Sequence, residues 1–174
     1  GLCVAATIRV GNQKGFKAFV ELKRIALSVF LLTLVLDVVF AGFFVAFSEW
    51  LPWLYLDSAN GLDTFAVAEL AGSLLLIAAF FQIFDGAQVV ALGCLRGLQD
   101  VRIPTWITFL AYGLIGMPIM LYLSVEANMG AIGVWIGLCL GLVLSSFLLY
   151  IRFLYLTNKL MRIYGSYYSK IFNC

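Results

Sequence analysis

An all-α integral membrane bundle follows from three properties of the chain: its apolar composition, four apolar runs of bilayer length, and loops whose charge alternates in sign. Of the 174 residues, 64% are hydrophobic and only 11% charged, with mean hydropathy +1.05, against about 25% charged in ordinary soluble domains. The runs are continuously apolar, without the two-residue alternation of a membrane β-barrel, so helices are expected. Each approaches the ~20 residues that cross roughly 30 Å of hydrocarbon.

The first run spans 25–47 and is interrupted near its centre by Asp37. The second, 67–95, is longer than a bilayer requires and should tilt; Glu69 stands at one end and Asp85 inside. The third, 107–123, follows Pro104 and contains Pro118, which removes a backbone donor and should kink the helix. The fourth spans 131–153, and 154–174 reads as a tail. Gly1 to Ile8 is apolar but lacks the charged start of a signal peptide; with residues to 11 it reads as the end of an earlier helix, so the chain is expected to be a fragment.

Charge orders the loops. Arg9, Lys14, Lys17, Lys23 and Arg24 precede the first span, with Glu21 their only acidic neighbour; the next loop carries Glu49, Asp57 and Asp63 and no base. Arg96 and Arg102 follow the second span, Glu126 alone follows the third, and Arg152, Lys159, Arg162 and Lys170 follow the fourth. The positive-inside rule then makes the N-terminal segment, the 96–104 loop and the tail cytoplasmic, an alternation that four spans satisfy and three or five do not. Trp50, Trp53 and Tyr55 suit the outer interface, and Tyr164, Tyr167 and Tyr168 the inner one.

Several function classes recede. Net charge is +2 and His is absent, which leaves no footprint for nucleic acid and no imidazole relay or zinc–histidine site. Cys3, Cys94, Cys139 and Cys174 share no ligand spacing and read as small packing residues. No cofactor is implied, and no nucleophile-with-base arrangement suggests an intramembrane enzyme. The glycine repeats Gly93/Gly97 and Gly133/Gly137/Gly141 read as close helix packing.

Proton or cation chemistry therefore falls to carboxylates. An ionised side chain at mid-membrane costs at least ~2.5–3.5 kcal/mol, so it usually has a task. Asp85 lies about 24 Å from Glu69 and about 16 Å from Arg96 along a helix. Phe81, Asp85 and Gln88 share one face at i, i+4, i+7 spacing, which points to a bundle interior or watery cavity. Asp37 is equally central, but its sequence neighbours Leu34 to Phe40 are otherwise apolar. Its reading stays divided between a transport role and a structural hydrogen bond to another helix.

Four motifs now carry a resemblance. Ile8-Arg9-Val10-Gly11-Asn12 with Gly15, then FDGAQVVALGCLRGLQD (84–100) with Pro104, then Gly116-Met117-Pro118, then Gly130-Ala131-Ile132-Gly133-Val134-Trp135-Ile136-Gly137 together resemble the C-terminal part of a MATE (multidrug and toxic compound extrusion) transporter. The resemblance implies a twelve-helix protein of two six-helix lobes in the cytoplasmic membrane. This chain would hold the end of helix eight and helices nine to twelve, with the other lobe elsewhere in the same protein. It implies export of drug-like cationic or amphipathic compounds by alternating access, in exchange for Na⁺ or H⁺. Asp85 falls on the family's cation-coupling aspartate. Arg96, Gly97 and Asp100 fall on a cytoplasmic loop motif that ties helix ends and shapes the inward gate. Phe81 departs from the tyrosine of sodium-coupled members and withholds its oxygen, leaving both ions open. A lipid-linked sugar flippase of the same superfamily is the alternative; it should line its cavity with cationic residues, which do not interrupt these spans.

Overall fold

A computed structural model of the chain describes residues 1–54, 56 and 62–172, with side chains outside 62–63 and 165–172. Tyr55, Asp57 and Cys174, and the side chains of Asp63, Tyr167, Tyr168 and Lys170, lie outside what is described. Six α-helices follow in order: α1 (Leu2–Gly15), α2 (Phe19–Phe47), α3 (Leu62–Gly97), α4 (Arg102–Leu110), α5 (Met117–Leu121) and α6 (Gly130–Phe172). A 3-10 turn, Leu51–Leu54, follows α2, and π-helical turns occupy Ala111–Gly116 and Tyr122–Glu126. Among the described residues there is no strand. Among the described residues four helical stretches are long and apolar enough to cross a membrane: Phe19–Phe47, Thr64–Gly97, Arg102–Glu126 and Gly130–Tyr164. The chain is thus a multi-pass membrane protein, with the basic residues described at one end of the bundle and Glu49, Glu69 and Glu126 at the other.

Turns close where backbone geometry permits. Lys17 (φ 57°), Gln99 (φ 62°) and Asn128 (φ 53°) adopt the left-handed conformation between helices, tolerated at single residues but not within a helix. The third span differs from a simple kink at Pro118. Proline cannot donate to the carbonyl one turn back, and the backbone immediately before it, Ala111–Gly116, widens to a π turn. The missing donor is thereby absorbed by a change of helical register, a common way for a membrane helix to accommodate proline.

Both glycine repeats are packing surfaces. A Cβ at Gly97 would come 2.7 Å from the Thr7 carbonyl, and one at Gly93 2.7 Å from the Cys3 carbonyl, so α3 can rest on α1 only as glycine. Gly133 and Gly137 lie equally close to the backbone of Leu123, Ser124 and Met120. This is the small-residue contact that lets membrane helices approach without a hydrophobic drive between them.

The core sits at the basic end. It joins Ala6 and Val10 of α1, Leu22 and Ala26 of α2, Val90, Ala91, Cys94 and Leu95 of α3 with Leu98 just after it, and Leu149 and Phe153 of α6. Leu154, Leu156, Leu160, Met161 and Tyr164 pack against it from beyond the expected fourth span. That packing carries α6 into the segment read as a tail: the helix continues without a break to Phe172. Tyr164 meets Phe19 at 4.9 Å between ring centroids and carries Lys17 Nζ 5.6 Å over its face. Cys94 is fully buried, and Cys3, Cys94 and Cys139 are free thiols.

Candidate functional site

The site forms where α2 and α3 cross near mid-span. The outer side of α2 is apolar and exposed at Val35, Val38, Val39 and Phe40, which turns its polar residues inward. Thr33 and Asp37, one turn apart, lie over Gly86 of α3. A Cβ at Gly86 would overlap Asp37 Oδ2 and come 2.9 Å from Thr33 Cγ2. Glycine is therefore required for this approach. Gln82, one turn before Gly86, fixes the register: its Nε2 donates to the Asp37 backbone carbonyl at 2.8 Å. Asp37 is thus not isolated, since its polar neighbours come from α3.

Asp85, next to Gly86, is exposed on the surface of the chain. The residues predicted to share its face divide between two neighbours. Phe81 makes an edge contact with Trp135 of α6, ring centroids 5.8 Å apart. Gln88 is buried at 8% exposure, and its Oε1 accepts a hydrogen bond from the Tyr112 hydroxyl at 3.0 Å. Tyr112 stands on the first π turn with its ring against Gly141, where a Cβ would lie 3.2 Å from Cδ1. The π turn and a glycine of α6 together aim this hydroxyl at α3.

The loop motif also divides. Asp100 accepts a 2.8 Å hydrogen bond from Arg152 Nε in an ion pair whose side chains are 14% and 22% exposed, tying the α3–α4 turn to α6. Gly97 serves the contact with α1, and Lys14 Nζ donates to the Leu98 carbonyl at 2.7 Å. Arg96 is exposed. Pro118 follows the π turn and is exposed.

Thr33, Gln82 and Tyr112 escaped the sequence reading, and Gly86, Trp135 and Arg152 entered it only as members of motifs or of the loop charge. Gln82 lies one turn before Gly86, a signal that could have drawn it in; the others meet through tertiary contacts. Among the described residues no three His, Cys, Asp or Glu side chains gather to hold a metal. A cation here would need hydroxyl, amide or carbonyl oxygens beside the carboxylates. A separate cavity of about 470 Å³ opens at the acidic end, lined by Glu49, Glu69, Ser48, Ser73 and the rings of Trp53 and Phe65.

Comparison with known proteins agrees with this architecture. The MatE family profile matches residues 1–121. The probable multidrug resistance protein NorM of Acinetobacter baylyi is 39% identical, the alignment covering 90% of this chain and 33% of the relative. That of Rhizobium meliloti is 37% identical, covering 91% and 34%, and that of Pseudomonas aeruginosa 36% identical, covering 92% and 33%. The chain spans about a third of the length of these relatives. The crystal structure of the eukaryotic MATE transporter AtDTX14 superposes with a TM-score of 0.78 at 21% identity, covering 92% of this chain and 36% of that one, a likeness of fold. By its matched residues, its relatives and its helical architecture, the chain belongs to the MatE family.

Proposed function

We propose that the protein containing this chain is a cation-coupled antiporter that exports drug-like amphipathic or cationic compounds across the cytoplasmic membrane by alternating access. The observation that carries this reading is Asp85, an exposed carboxylate in the interior of a membrane-length helix. An intramembrane acid is expensive unless it is neutralised by a proton, a metal ion or a cationic substrate. Competition among these for one carboxylate is the simplest chemistry of exchange: the coupling ion enters as the compound leaves, and the reverse resets the site. The names of the NorM relatives support a drug-like substrate. The acidic cavity beside Trp53 and Phe65 has the lining an organic cation favours, carboxylates for charge and aromatic faces for cation–π contact. The alternating loop charges support a cytoplasmic basic end, and the remaining lobe of the same protein would complete the path. Phe81, turned to Trp135, offers no oxygen, so Na⁺ would draw its ligands from elsewhere, whereas H⁺ needs none.

In the full-length protein, Asp85→Asn should abolish ion-driven efflux in vesicles while leaving expression and membrane insertion intact. Undiminished drug resistance in cells carrying that variant would remove Asp85 from the mechanism. Driving uptake into inverted vesicles with a Na⁺ gradient or a pH gradient, one at a time, identifies the ion.

A further inference from the structure

The seam between α2 and α3 holds two buried oxygens for which the structure provides no hydrogen-bond partner, Asp37 Oδ2 and Thr33 Oγ1. Thr33 is 6% exposed, and both side chains lie directly over Gly86. Oδ2 lies against Gly86 with no N–H or O–H donor among the described residues, and the C–H groups of a glycine Cα are far weaker donors. Asp37 is half-buried, but ionised, its buried Oδ2 lacks the donor that burial requires, a cost that a proton on the carboxyl removes. Nor does the contact leave room for a metal ion between Oδ2 and Gly86. Hard cations also gather several oxygens, whereas the Asp37 carbonyl is already engaged by Gln82.

We propose that Asp37 is a second proton-carrying carboxyl, neutral while α2 rests on Gly86 and exchanging its proton in concert with Asp85. The inference rests on the role given to Asp85 above and extends it to a helix that role does not involve. When the proton leaves Oδ2, the carboxylate keeps the electron pair and must find donors, which the Gly86 contact cannot supply. Deprotonation therefore separates α2 from α3 at this point, and protonation lets them close. From α3 the titratable residue beside this contact is Asp85, adjacent in sequence to Gly86, on which Asp37 rests. From α6 two tyrosines pack on α2, both toward the basic end from Asp37: Tyr150 on Phe30, two turns away, at 5.3 Å between centroids, and Tyr164 on Phe19, five turns away, at 4.9 Å. Helix α1 meets α2 at the basic end, through the buried cluster that joins Ala6 and Val10 to Leu22 and Ala26.

Infrared difference spectroscopy of the full-length protein in lipid, titrated with pH, tests this directly. A carboxylic-acid C=O band should be present, vanish in Asp37→Asn, persist when K⁺ is replaced by Na⁺ at fixed pH, and change its pH profile in Asp85→Asn. Absence of any band assignable to Asp37 overturns the proposal. So does loss of that band on adding Na⁺ at constant pH, or a profile identical in wild type and Asp85→Asn. Efflux by Asp85→Asn reads the role of Asp85 and the Asp37 band reads this one, so the two can fail separately.

Discussion

Helix α3 uses glycine for close approach in two ways: Gly97, with Gly93, against α1, and Gly86 against α2. At Gly97 the neighbour is backbone: the Thr7 carbonyl at 2.7 Å from a would-be Cβ and the Gly11 nitrogen at 3.1 Å. The polar groups around it are engaged, with Thr7 Oγ1 2.9 Å from both the Cys3 and Gly93 carbonyls and Lys14 bonded to Leu98. At Gly86 the neighbour is a side chain, Asp37, whose Oδ2 has no donor among the described residues. The first contact is satisfied and fixed by the main chain. The second is held by a group that can rotate away, and whose preference changes with one proton. A small-residue contact in a membrane helix can thus be a weld or a latch, according to what lies opposite the glycine.

Three substitutions separate these two kinds of contact. Gly97→Ala forces backbone apart and should cost about 3 kcal/mol, the upper part of the range for overpacking, seen as a lower thermal midpoint in detergent; truncating Thr7 to Ala should not restore it, because the clash is with its carbonyl. Arg152→Ala leaves Asp100 without its partner. The expected loss is about 2 kcal/mol by the same measurement, less than for a fully buried pair because both side chains retain some solvent. Gly86→Ala should cost least, about 1 kcal/mol, since Asp37 can swing aside; adding Asp37→Ala should recover most of that loss, a coupling that a double-mutant cycle reads out. Recovery at Gly97 and none at Gly86 would reverse the distinction.

Much of the fold was legible because membrane spans declare themselves by length and apolarity. The alternation of loop charge gave four spans, and four helical stretches of that character are present. Their ends were less legible. Helix α6 runs past 153 because Leu154, Leu156, Leu160, Met161 and Tyr164 pack on the core, a pattern masked by the intervening charges Lys159 and Arg162. The glycine repeats were read as packing faces and are such. Asp85 could be singled out because a mid-span acid is conspicuous on its own helix. Asp37 is equally conspicuous, but Gln82 and Gly86 reach it from another helix, which its own sequence neighbours do not reveal. Tyr112 could not be placed from periodicity, since the π turn shifts the register that periodicity assumes. Arg152 looked like one more inner-end base, although it is the partner of Asp100.

The unbroken length of α6 has a mechanical consequence. A helix of 43 residues is a stiff rod of about 64 Å, clamped near the basic end by Arg152, Leu149 and Phe153. Clamped there, it acts as a lever. A tilt of about 5° about Arg152 would carry Gly133 sideways by about 2.5 Å, given the ~28 Å arm between them. Because Gly133 and Gly137 bear directly on the main chain at Leu123, Ser124 and Met120, that stroke would push the neighbouring span backbone against backbone, with no flexible side chain between them to take up the motion.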